Sequence, residues 1–179
     1  MELFHGATLV ISEIELAKGR HRTDFGQGFY LGSDLRVAQR WAKSRAAFSG
    51  RPIVMKYELD DAVFFDDKIN PLIFDEPSLE WLNFVRDNRR KGEPENILRH
   101  TYGIVQGPIA NDKVNFVVED YMKMKIAAQE AIAKVKALPN VVQVSLHTLQ
   151  ALKYLDTIDF CYQGMLPNDE WSEWVGLSG

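Results

Sequence analysis

The sequence predicts a single α+β domain. Three observations predict it: short apolar runs of strand length stand near both ends, segments of helical period lie between them, and no repeat, low-complexity tract or linker divides residues 1–179. Read in chain order, "LFHGATLV" is a strand that ends beside its glycine. "IELAKGRHRTD" breaks that pattern as a turn or short helix, and "GQGFYLGS" sets Phe29, Tyr30 and Leu31 between two glycines as a short buried strand. "SDLRVAQRWAKSRAAF" then places Leu35, Val37, Ala38, Trp41 and Ala42 on one helical face, with Ser33 as its expected cap.

"RPIVMKYELD" alternates as a half-buried strand. "SLEWLNFVRDNRRK" is a helix capped by Ser78, and "YGIVQGPI" is a strand closing in a Gly-Pro turn. Residues 116–138 carry helical spacing as one long helix or two short ones, stopped by Pro139. "NVVQVSLH" is a strand, "TLQALKYL" a short helix capped by Thr148, and "DTIDFCYQG" a last strand. The mixed order implies helices placed around antiparallel sheets. The tail "NDEWSEWVGLSG" is expected to fold its tryptophans, Trp171 and Trp174, back onto the domain.

Composition narrows the function classes. With 46% hydrophobic and 26% charged residues the chain can bury its own core, and a net charge of -4 gives no global attraction to phosphate backbones. A single cysteine, Cys161, suits a reducing compartment. The N-terminus lacks the basic start and apolar run of a signal peptide, and no window reaches membrane-spanning length, so a soluble cytoplasmic protein with no membrane partner is expected.

Familiar catalytic motifs are refused. Asp24-Phe25-Gly26 has the letters of the kinase magnesium motif, but only 23 residues precede it, and the glycine loop and strand lysine a kinase needs are missing. There is no Walker loop, and no G-x-G-x-x-G follows a strand. The four histidines have neither H-E-x-x-H spacing nor cysteine companions, so no metal site is expected.

One constellation survives: His5-Gly6 at the end of the first strand, then Gly26-x-Gly28-Phe29-Tyr30-Leu31, then a helix bearing Ala38 and Trp41. In order and approximate spacing it resembles the NAD-binding core of the ADP-ribosyltransferase superfamily, in the branch whose signature residues are His, Tyr and Glu. The chain as a whole is similar to a family of small bacterial proteins of unassigned function related to these transferases, through "GPIANDKV" and "VVQVSLHTLQALKYL". The resemblance implies split antiparallel sheets with surrounding helices. It also implies NAD as co-substrate, with His5 bonding a ribose hydroxyl, Gly6 pairing with the nicotinamide amide, and Tyr30 and Trp41 facing the nicotinamide ring. Gly28 shapes the loop that delivers Tyr30, and Arg22 has the fork geometry to meet the pyrophosphate.

The third signature position departs from the pattern. Its glutamate would place a negative charge near the oxocarbenium-like centre that forms as the nicotinamide-ribose bond breaks. Here the candidate is Gln143, which keeps an acceptor and loses the charge. The resemblance therefore implies transfer of one ADP-ribose unit to a macromolecular acceptor, protein or nucleic acid, rather than chain elongation. Small proteins of this type resemble toxins or phage-defence components held by a small antitoxin-like partner. A catalytically silent NAD-binding or interaction module, and an NAD glycohydrolase, stand as alternatives.

Each residue also has a plainer reading. His5 suits a hydrogen-bonded strand end, Tyr30 and Trp41 suit core positions, and Gln143, alternating with Val142 and Val144, suits an exposed face. Asp24 suits an Asx-type turn, and Asn111 and Asp112 suit either a turn or the border of an acceptor site. If Gln143 stands in for the glutamate, Gln143→Glu is expected to raise NAD turnover, measured as nicotinamide release.

Overall fold

The computed structural model describes residues 1–90, 100–108, 112–138, 141–164 and 169–177. Its strands are β1 (Glu2–Ala7), β2 (Phe29–Gly32), β3 (Ile53–Leu59), β4 (Pro71–Ile73), β5 (Ile104–Pro108), β6 (Val142–Leu146), β7 (Leu155–Tyr162) and β8 (Val175–Gly176). Its helices are α1 (Leu35–Ala46), α2 (Leu79–Arg89), α3 (Asp112–Met122), α4 (Ala128–Lys136) and α5 (Leu149–Leu152). The eight strands make one open sheet of order β4-β5-β6-β2-β1-β3-β7-β8.

Where two separate sheets were expected, one continuous sheet is found, but it narrows in the middle. β1 pairs with β3 at six positions, from Glu2↔Glu58 to Ala7↔Ile53, and with β2 only at Phe4↔Gly32. The sheet is also not wholly antiparallel: β4, a three-residue strand unread in the sequence, runs parallel to β5.

One face of the sheet carries a core that spans the narrowing, with Leu3, Phe29, Leu31, Met55, Tyr57, Val144 and Leu146 among its members. The opposite face is divided. Phe25, Phe74, Trp81, Leu82, Val105 and Val118 pack beneath α2, α3 and α4, while Phe4, Ala38, Ala42, Val54 and Cys161 pack beneath α1. Strand alternation sends Phe29 and Leu31 into the shared core and turns Tyr30 to the divided face, as the sequence pattern requires.

Helix starts follow local chemistry with one correction. Ser78 and Thr148 cap α2 and α5 as expected, accepting from Trp81 N and Ala151 N at 3.1 and 3.2 Å. The cap of α1 is Asp34, not Ser33: the Asp34 carboxylate accepts from Arg36 N at 2.8 Å, while Ser33 is tied to Val142 O through its backbone and side chain. The long helical segment divides into α3 and α4 at Met124, whose left-handed φ of 57° interrupts the ladder without glycine or proline. The tail does fold back, with Trp174 stacked on Phe4 at 6.0 Å and Trp171 packed against the α1 core. Asn111 lies outside the described residues, and Asp112 opens α3. Among the described residues no helix is long and apolar enough to cross a membrane.

Gly6 lets α1 lie directly on β1. A Cβ there would sit 2.3 Å from Ala38 O and 2.9 Å from Ala42 N, both backbone atoms of the helix. Gly6→Ala therefore forces the helix off the sheet, at a cost of about 1–3 kcal/mol of stability. Thermal denaturation should show a midpoint lowered by several degrees.

Candidate functional site

A cleft of about 1250 Å³ follows the gap between β1 and β2, walled by α1 on one side and by the ends of α2 and α3 on the other. His5, Gly6, Tyr30 and Gln143 line it, and so do Arg22, Gly28 and Trp41. Residues drawn from four separate stretches of sequence thus converge on one cavity.

His5 spans the gap. Its Nδ1 donates to Tyr30 O at 2.6 Å, and its ring stacks on Phe29 at 4.6 Å. Burial lowers its pKa from the ordinary imidazole value, and the charge of Arg45 lowers it further. The ring is therefore neutral near pH 7, and because Nδ1 carries the proton, Nε2 holds a lone pair able to accept from a hydroxyl.

The Tyr30 hydroxyl is fully engaged. It accepts from Phe25 N at 2.9 Å and donates to Gly26 O at 2.8 Å, and burial raises its pKa. It pins the Asp24-Phe25-Gly26 turn, so Tyr30 has its ring rather than an acidic proton to offer a ligand. Trp41 is 40% exposed, which removes the core reading, and the Arg20 guanidinium lies 5.5 Å from its ring centroid. Gly28 has a packing reason of its own, since a Cβ would meet His147 Nδ1 at 2.6 Å and Leu146 O at 2.7 Å.

Gln143 is not on a solvent face. It is 6% exposed, and its Nε2 donates to Asp24 Oδ2 at 2.7 Å and, more weakly, to Pro108 O at 3.4 Å. Asp24, only 7% exposed, is likewise no simple Asx turn. Its Oδ1 accepts from Arg89 Nε at 2.9 Å and from Arg89 Nη2, which also donates to Asn115 Oδ1 at 2.7 Å. Sequence reading missed Arg89 and Asn115, because each stands alone on a helix with no local motif around it.

The cleft rim is cationic. Arg20 and Arg45 both line it, and among the described residues no carboxylate pairs with either. Partial burial lowers the pKa of Arg45, and the neighbouring Arg20 charge adds to this. Two guanidiniums held together without a counterion favour an anionic ligand. Arg22 also lines the cleft, in a left-handed conformation at φ 59°. Among the described residues no cluster of metal-binding side chains occurs.

Behind the cleft, Ser145 and His147 stand in contact. The Ser145 hydroxyl donates to His147 Nε2 at 2.8 Å, and His147 Nδ1 donates to Gln27 O at 2.8 Å. Ser145 is wholly buried, so the pair fastens the glycine loop of residues 24–28 to β6 rather than offering a nucleophile. His100 Nε2 donates to Phe25 O at 2.7 Å, holding the same loop beside His147, whose ring it meets edge-on at 4.7 Å.

The molecule is thus an α+β protein with an arginine-rimmed cleft at the narrowing of its sheet. A family described as "Protein of unknown function (DUF3990)" matches residues 1–157, and the chain belongs to that family. The match takes in β1 through β6, all five helices and every site residue named above, and leaves out the tryptophan tail. No curated protein and no solved structure matches.

The buried histidines set an acid limit. Burial lowers the pKa of His5 and His100 below 6.5 and that of His147 from 6.5 to about 4. Below pH 6.5 the unfolded chain binds protons that the folded chain does not, so stability is full above that pH and falls toward pH 4. The His147 shift alone corresponds to roughly 3 kcal/mol. Urea unfolding at pH 7.5 and 4.5 should register a loss of this order or larger.

Proposed function

We propose that the protein is an NAD-dependent mono-ADP-ribosyltransferase, its sheet joined by a single rung at the place where that superfamily's sheet is split. The observation that carries this reading is the convergence of His5, Tyr30, Trp41 and Gln143 on one cleft with a cationic rim. His5 and Tyr30 stand in the chain order of the His-Tyr-Glu branch, with Gln143 in the place of its glutamate.

Each group has a role within its observed bonding. His5 Nε2 accepts from a ribose hydroxyl, since Nδ1 is committed to Tyr30 O. The rings of Tyr30 and Trp41 flank nicotinamide, each contact being worth on the order of 1 kcal/mol. Arg20, Arg22 and Arg45 meet the pyrophosphate. Gln143 Oε1 accepts from the 2'-hydroxyl of the nicotinamide ribose. The bond between C1' and the nicotinamide nitrogen breaks with its electron pair leaving on nicotinamide. A nucleophile of the macromolecular acceptor forms the new bond to C1' and gives its proton to solvent. Gly6 retains a place at the nicotinamide amide through its backbone, although its lack of a side chain is already required by α1.

Incubation with NAD labelled in the adenosine half, together with cell lysate, tests the reading. Label moving to protein or nucleic acid supports transfer; free ADP-ribose assigns hydrolysis instead. Binding without turnover, or no binding, overturns the enzymatic reading. Arg20→Ala and Arg45→Ala are each expected to raise KM for NAD about tenfold with little change in kcat, because they remove binding energy remote from the breaking bond.

A further inference from the structure

We infer that Asp24 supplies the negative charge of this site, and that Gln143 stands where a glutamate is expected because its amide must donate to Asp24. The inference rests on the transferase reading, since it gives the pair a part in that chemistry.

The bonding fixes which end of the Gln143 amide faces which way. Its near neighbours, Asp24 Oδ2 at 2.7 Å and Pro108 O at 3.4 Å, are a carboxylate and a prolyl carbonyl, and both are acceptors. The NH₂ group must therefore point to them, and Oε1 is left as the acceptor available to a ligand. Asp24 enforces this. Its other oxygen is held by two donors of Arg89, which Asn115 fixes in turn, so the carboxylate cannot swing away.

Two consequences follow. A glutamate at position 143 would set its carboxylate within hydrogen-bond distance of Asp24, and two buried carboxylates that close cannot both ionise. Gln143 is thus the residue that a carboxylate at position 24 demands. The charge missing from position 143 is meanwhile present one hydrogen bond away, at a residue that also lines the cleft. Polarisation of the amide by that charge strengthens Oε1 as an acceptor. Asp24 acts through Gln143 and is a positioning residue. The expectation that Gln143→Glu raises turnover is therefore reversed.

The plainer alternative is that the cluster only ties the glycine loop to α2 and β6. Exchanging the two groups separates the readings, using the full chain as wild type, Asp24→Asn, Gln143→Glu and the Asp24→Asn/Gln143→Glu double variant. Nicotinamide release and thermal midpoint are followed for each. Gln143→Glu is expected to melt below wild type, by a gap that narrows between pH 8 and pH 5 as the carboxyl pair takes up a proton, and to lose at least tenfold in kcat/KM. Asp24→Asn is expected to lose a similar factor. In the double variant the asparagine amide donates to the new glutamate, so kcat/KM is expected to recover at least tenfold over either single variant.

Recovery of the midpoint without recovery of kcat overturns the inference in favour of a structural tie. Gln143→Glu with the midpoint and activity of wild type, or better, also overturns it. If Gln143→Glu does not fold, Asp24→Asn against the double variant decides in the same way, and absence of rescue overturns. The two proposals fail distinguishably. A wild type that neither binds nor cleaves NAD sinks the transferase reading and Asp24's part in it together. An active wild type whose double variant shows no rescue sinks the Asp24 assignment alone.

Discussion

The buried Asp24 carboxylate is the constraint on which the cleft depends. It joins three elements that are distant in sequence: the glycine loop that carries it, the end of α2 through Arg89, and the start of β6 through Gln143. A charge this buried persists only when it is paired and hydrogen-bonded, and removing one partner of such a pair costs about 3–5 kcal/mol. The loop, α2 and β6 are thereby held to one mutual arrangement. The Tyr30 hydroxyl, His100 and His147 then bind the loop backbone at Phe25, Gly26 and Gln27. A turn with the letters of a metal-binding motif is in fact an anchored hub.

The same cluster changes the meaning of the glutamine. Viewed alone, an amide in place of a carboxylate looks like lost function. Under the transferase reading proposed above, Gln143 and the Arg89-paired Asp24 together carry the carboxylate that the expected glutamate would have carried alone. What matters at such a site is the electrostatic pattern that several residues make together, and a signature read one position at a time cannot register it.

Legibility in the sequence followed sequence distance. His5-Gly6 and the Gly26 to Leu31 stretch could be read because strand ends, glycines and alternation act over a few residues, and the burial of Phe29 and Leu31 opposite Tyr30 is the direct result. Asp24 and Gln143 are 119 positions apart, and Asp24 and Arg89 are 65 apart, so nothing local announces either contact. Arg89 looked like an ordinary basic residue in the last turn of a helix. The break between α3 and α4 was only half legible, because Met124 adopts its left-handed conformation without the residue types that usually signal it. β4 was invisible at three residues, too short for any period to show.

The single rung between β1 and β2 gives the molecule a seam. Most of the backbone bonding lies within the two halves of the sheet, and the continuous core beneath one face is what chiefly holds them together. His5 crosses the seam as a side-chain stitch. A ligand seated in the cleft touches both halves and becomes a second stitch, so part of its binding free energy is also cohesion between the halves. Binding in the cleft and cohesion of the sheet are in this way coupled, because a ligand that bridges the seam opposes separation of its two halves.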